Sequence, residues 1–185
     1  MFNLRLIDKS WTLFLDRDGV INHENPDGYI LGKKEFRFYD GVLNAIQELS
    51  EKFALVIVAT NQRGVGKGLM SGEDLLDIHT HMCQTIAHAG GRVDKIYFNT
   101  SIHDEDPLRK PNPGMALQAA LDFPQINFKK SLMVGNTLSD MEFGRNAGMH
   151  TIFLKTTIPQ IGLPNPMIDL AFLDLPDFAK ALQKS

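Results

Sequence analysis

An α/β fold built on a doubly wound, three-layer parallel sheet is predicted by three features of this chain. Short apolar runs alternate with stretches of helical periodicity. Each run is nearly continuous in apolar residues, as strands covered on both faces require. The residues just after the runs are acids, amides, a threonine and a lysine, at the sheet edge where folds of this class bind ligands.

The strands are read as "TLFL" (12–15), "ALVIVA" (54–59), "KIYF" (95–98), "SLMVG" (131–135) and "HTIFL" (150–154). Between the first two, Val42, Leu43, Ile46 and Leu49 form one apolar stripe of a helix, with Asp40 expected as its N-cap. Ser71 is expected to cap a longer helix carrying Leu75, Met82 and Ile86. "PNPGMALQAAL" begins a helix with Asn112 as cap and Pro113 at the first helical position. "LSDMEFGRNAG" is a short helix ended by Gly148. Beyond Lys155 the pattern loosens into a proline-rich loop, "IPQIGLPNP". "MIDLAFLDL" then offers an edge strand and "PDFAKALQK" a last helix. The expectation is one domain over 1–185, with a motif-bearing core at about 12–155 and a C-terminal extension at 156–185.

Composition narrows the function classes. At 185 residues, with 43% hydrophobic and 22% charged residues, the chain can bury a full core. Its net charge of -3 gives no basic field for nucleic acid or an anionic membrane. Cys83 is the only cysteine, which excludes an internal disulfide and a multi-cysteine metal site. No apolar run is long enough for a signal peptide or a membrane span, so a soluble, cytoplasmic protein is expected. The oligomeric state is not readable.

The chemistry sits after the strands. Asp16 and Asp18 follow the first and point to the same side of an extended chain, with Gly19 free to turn the backbone away. A simple aspartate turn is the plainer reading of that pair alone. Thr60 and Asn61 open "TNQRGVGKG" after the second strand, a candidate phosphate cradle. It is no nucleotide P-loop, because Asn61 stands at the first glycine position and Gly68 replaces the metal-binding hydroxyl. Residues 62–68 read equally well as a flexible loop. Arg109 and Lys110 precede a helix, where Lys110 can neutralise charge. "VGNTLSD" after the fourth strand supplies Asn136 and Asp140, either of which could instead be a helix cap. Acids gathered in one cleft repel, and burying them unpaired is costly. A divalent cation relieves this, and oxygen ligands without His or Cys suit Mg²⁺.

Together "DRDGVIN", "TNQRGVGKG", "RKPNPGM" and "VGNTLSD" resemble the motifs of the haloacid dehalogenase-like (HAD) phosphohydrolase superfamily over roughly residues 13–154. They are most similar to its capless branch, which includes heptose bisphosphate and histidinol-phosphate phosphatases. The resemblance implies a Rossmann-like core without a large cap. It also implies Mg²⁺-dependent hydrolysis of a small phosphorylated metabolite, either a sugar phosphate or bisphosphate or histidinol phosphate. Asp16 would be the nucleophile that forms an aspartyl phosphate. Asp18 would be the acid and then the base. Asp16, the Asp18 carbonyl and the fourth-motif side chains Asn136 and Asp140 would serve the metal. Thr60, Asn61 and Lys110 would bind the phosphoryl group, and Arg109 the substrate.

Two departures from the branch stand out. The stretch that usually carries three zinc-binding cysteines is here "NTSIHDEDPL", with only His103, so no structural zinc is expected. The acids in that stretch, Asp104, Glu105 and Asp106, would disfavour a second phosphate if they border the cleft, although Arg37, Arg63, Lys67 and Arg109 could still offer cations and a merely solvated acidic run is the plainer reading. The usual fourth-motif Asp is Asn136. Without a large insertion, access falls to loops at 22–38, 62–69 and 99–108. Two alternatives remain. A nucleic-acid 3′-phosphatase would need a basic groove. A degenerate phosphate-binding protein would draw on Asn136, although Asp16, Asp18, Lys110 and Asp140 are all retained.

Overall fold

The computed structural model describes residues 2–184. Its six strands are β1 (Thr12–Leu15), β2 (Leu55–Asn61), β3 (Lys95–Asn99), β4 (Ser131–Gly135), β5 (His150–Leu154) and β6 (Leu170–Phe172). They form one sheet in the order β3-β2-β1-β4-β5-β6, and every pairing is parallel. The helices are α1 (Val42–Lys52), α2 (Arg63–Gly66), α3 (Gly72–His88), α4 (Gly114–Asp122), α5 (Leu138–Ala147) and α6 (Leu175–Gln183). This is the doubly wound parallel sheet expected, and no large cap interrupts it among the described residues.

Strand alternation builds the two cores. Leu13, Leu15, Val56, Val58, Leu132 and Val134 face one side, against apolar residues of α1, α3 and α6. Phe14, Ile57, Ala59 and Met133 face the other, against α4 and Phe143 of α5. With both faces covered, the strands read as unbroken apolar runs. The strand order reverses between β1 and β4, so the crevice beyond their carboxyl ends is the topological switch point.

Several local expectations are corrected. Gly41, not Asp40, precedes α1, at φ 74° with no side-chain cap. Pro113 occupies the capping position of α4, one residue later than expected. The Asn112 amide instead bonds the carbonyls of Asp104 (3.2 Å) and Asp106 (2.9 Å). Residues 63–66 of the supposed flexible loop form the short helix α2. β2 runs on through Thr60 and Asn61, which lie on the strand rather than after it. Ser71 caps α3 as read, in a reciprocal capping box with Asp74. Gly148 ends α5 in the left-handed conformation. The tail supplies both β6 and α6, the latter capped by Asp174. No helix among the described residues is long and apolar enough to cross a membrane.

Candidate active site

Every candidate side chain from the sequence lines one cavity of about 280 Å³ at the switch point: Asp16, Asp18, Thr60, Asn61, Arg109, Lys110, Asn136 and Asp140. Glu24, Thr137 and Ser139 complete its wall. A wider hollow of about 520 Å³, lined by residues of the 22–38 loop, shares Glu24 with it.

Asp16 continues the β1 ladder, its N–H donating to the Val134 carbonyl at 3.0 Å. Lys110 lies between two acids. Its Nζ is 2.8 Å from Asp16 Oδ1 and 2.6 Å from Asp140 Oδ1, and the side chain is 3% exposed. Burial opposes that charge, but Asp140 and Asp16 more than offset it, and the ammonium is held above its ordinary value. Burial pushes the Asp16 carboxyl up to about 7, with repulsion from Asp140 and Asp18 adding to it and Lys110 opposing. Asn61 fixes the lysine backbone from β2. Its Oδ1 accepts from the Lys110 N–H, and its Nδ2 donates to the Lys110 carbonyl, both at 3.0 Å.

Asp140, expected beside the metal, has both oxygens engaged. Oδ2 accepts from the backbone N–H of Asn136 (3.2 Å) and Thr137 (3.0 Å) and from the Thr137 hydroxyl (2.7 Å). Oδ1 accepts from Lys110. Thr137 caps α5, and Asp140 returns the bond in a capping box. The capping reading thus applies to Asp140, and the same carboxylate also anchors Lys110.

Asn136 donates through Nδ2 to Thr157 Oγ1 at 2.7 Å. Its Oδ1 is buried with no hydrogen-bond partner. A buried acceptor left unmatched is costly unless something binds it. Gly19 is the reason the amide fits. A Cβ there would stand 2.0 Å from Asn136 Nδ2, and Gly19 has φ +83°.

Asp18 holds a different set of partners. Its carboxylate accepts from Arg17 Nη2 (2.9 and 3.0 Å), Asn22 Nδ2 (2.8 Å) and Gln62 Nε2 (2.9 Å). Burial pushes this carboxyl up, but the Arg17 guanidinium and the hydrogen bonds from Asn22 and Gln62 outweigh it and hold it below the usual carboxylate range. Gln62 also donates to Thr60 Oγ1 at 2.9 Å.

Sequence reasoning missed Arg17, Gln62, Asn22 and Thr137. Arg17 is fully buried, with its Nη1 3.2 Å from His79 Nε2 and its guanidinium 5.9 Å from the Phe36 ring centre. Alternation was the available signal. If Asp16 and Asp18 face the cleft, the residue between them points into the layer behind. Burial and then the Arg17 charge depress His79 to about 4, which keeps it neutral and able to accept from the guanidinium.

No group of three or more His, Cys, Asp or Glu side chains suited to a metal gathers among the described residues. Asp16 and Asn136 line the same cavity, and the Asn136 Oδ1 left without a partner is an oxygen donor of the kind a hard cation takes.

The 99–108 loop is held by polar contacts. Asp104 Oδ1 pairs with both Arg63 Nη2 and Arg109 Nε, the second at 3.1 Å. Asp106 Oδ1 accepts from the Leu108 N–H at 2.9 Å.

Residues 107–160 match the family model described as HAD-hydrolase-like. A D-glycero-alpha-D-manno-heptose-1,7-bisphosphate 7-phosphatase of Burkholderia mallei is 38% identical over 154 residues, covering 79% of this chain and 80% of that protein. A D-glycero-beta-D-manno-heptose-1,7-bisphosphate 7-phosphatase of Yersinia pestis is 35% identical, covering 92% and 94%. Among solved structures, a D,D-heptose 1,7-bisphosphate phosphatase from B. bronchiseptica, complexed with magnesium and phosphate, is similar with a TM-score of 0.83 and 30% identity, covering 94% of this chain and 98% of that one.

Proposed function

The chain belongs to the HAD-like hydrolase family as a phosphatase, and on that premise we propose that it is a Mg²⁺-dependent phosphomonoesterase acting on a small phosphorylated sugar through an aspartyl phosphate on Asp16. The observation that carries this reading is Lys110, buried between Asp16 and Asp140 in the cavity that Asn136, with its unmatched oxygen, also lines.

In this reading Asp16 attacks phosphorus in line with the leaving alcohol. Lys110 and Thr60 face the phosphoryl oxygens and stabilise the charge that spreads over them in the transition state. Asn61 acts on the same group through the lysine backbone it clasps. Asp18 gives a proton to the leaving oxygen, then takes one from the water that cleaves the acyl phosphate. It is a carboxylate in its resting pose, so it takes up its proton and parts from Arg17 before the first step. Arg109 contacts the remainder of the substrate at the cleft wall.

Asp16, the Asp18 backbone carbonyl and Asn136 Oδ1 would hold the Mg²⁺. When bound, the ion neutralises nucleophile and phosphoryl charge together. Asp140 supports that set through the Asn136 N–H and through Lys110.

The relatives' names make a phosphorylated heptose the first substrate to try, and the motif resemblance adds histidinol phosphate. Phosphate release from a panel of small phosphomonoesters, with Mg²⁺ and with a chelator, tests the reading. Release should require Mg²⁺ and vanish in Asp16→Asn. Undiminished turnover in Asp16→Asn, or in chelator, would refute it.

A further inference from the structure

We propose that Asp104 sets substrate selectivity at the mouth of the cleft by neutralising Arg63 and Arg109, so that the preferred substrate carries one phosphate and an uncharged or cationic remainder. The proposal rests on the phosphatase reading above and narrows its substrate class.

Arg109 is the cation by which the cleft wall could recognise a second anionic group. It lines the same cavity as Lys110, and its side chain is only 10% exposed. Its Nε donates to Asp104 Oδ1 at 3.1 Å, and its Nη1 to the Ser101 carbonyl at 3.3 Å. Arg63, from the start of α2, brings Nη2 to the same Asp104 oxygen and to the Ile102 carbonyl at 3.4 Å. One carboxylate oxygen thus takes donors from guanidinium groups on two separate segments.

Asp104 is held at this point by the loop around it. Asn112 Nδ2 clasps the carbonyls of Asp104 and Asp106, and the Arg109 N–H bonds the Asp106 carbonyl at 3.0 Å. The two arginines bring two positive charges, against three negative ones from Asp104, Glu105 and Asp106. A second phosphate would have to displace Asp104 from both guanidinium groups and then sit among the acids. A hydroxylated or aminated remainder makes no such demand.

The Asp104 carboxylate is 81% exposed, so each pair it makes is a weak surface pair. Two such pairs correspond to about a three- to tenfold effect on selectivity. The probes are a hexose 1,6-bisphosphate and the matching hexose 6-phosphate, assayed by phosphate release with Mg²⁺. In Asp104→Asn and Asp104→Ser, the bisphosphate-to-monophosphate ratio of kcat/KM should rise about three- to tenfold over wild type. In Glu105→Gln, whose carboxylate touches neither arginine, the ratio should stay put. Thermal unfolding of each variant separates a folding defect from a selectivity change, and the two Asp104 variants check one another. An unchanged or lower ratio in both would overturn the proposal, since Asp104 would then be idle or would be orienting Arg109 for the second phosphate. Failure of the phosphatase reading looks different: wild type would release phosphate from no ester of the panel above.

Discussion

Replacing Lys110 by Met keeps an unbranched apolar stem and removes the ammonium. In the wild type that ammonium is 2.8 Å from Asp16 Oδ1 and 2.6 Å from Asp140 Oδ1, and the two carboxylate side chains are 12% and 1% exposed. Asp140 keeps the three donors on its Oδ2, whereas its Oδ1 and that of Asp16 each lose their cation. Removing one partner from a buried ion cluster costs about 3–5 kcal/mol, because it strands an uncompensated charge. Lys110→Met should therefore lower unfolding stability by about that much. Asp140→Asn in the Lys110→Met background should return part of it, a coupling of about 1–3 kcal/mol. Urea denaturation of the wild type, both single variants and the double variant measures the cycle. Turnover of Lys110→Met should fall by about 10²–10³, the loss expected when a group that stabilises transition-state charge is removed. A Lys110→Met protein within about 1 kcal/mol of wild type, with no coupling to Asp140, would refute the buried triad.

Two further outcomes follow from the same geometry. His79 is held near 4 in the folded chain, while an unfolded His titrates near 6.5. Between those values the unfolded state binds the proton and the folded state does not, so stability falls as pH drops through that window, by up to about 3 kcal/mol. His79→Gln, which still offers Arg17 an acceptor, should flatten that fall, and denaturation at pH 7 and pH 4.5 would show it; an equal fall in both proteins would contradict the assignment. Gly19→Ala should shift Asn136, because its Cβ would stand 2.0 Å from the amide nitrogen. It should raise the Mg²⁺ concentration needed for half-maximal activity, and an unchanged Mg²⁺ titration would disconnect Asn136 from the ion.

The layers were legible because burial on both faces leaves a plain mark: "TLFL", "ALVIVA" and "SLMVG" have no polar residue inside to obscure the strands. The cleft was legible by the rule that ligands lie beyond strand ends, which picked out Asp16, Thr60, Asn136 and their neighbours in advance. Cap positions read less well. A glycine in the left-handed region and a proline served where Asp40 and Asn112 were expected, and Asn112 went to tie down a loop. Long-range polar partners were the hardest to see. Nothing local pairs Arg17 with His79, 62 residues away, or Asp104 with Arg63, 41 residues away. The dual use of Asp140 was half visible. Its place three residues after Thr137 spells a capping box, but its bond to Lys110 exists only once the first turn of α5 and the turn before α4 meet.

In the proposed mechanism Asp16 carries the phosphoryl group during turnover. Quenching the enzyme in acid during steady-state turnover with Mg²⁺, then mapping its peptides by mass spectrometry, tests this directly. One added phosphoryl group is expected on the peptide containing Asp16, placed on that side chain and absent from Asp16→Asn. A phosphoryl group on another residue, or turnover that persists in Asp16→Asn, would contradict it.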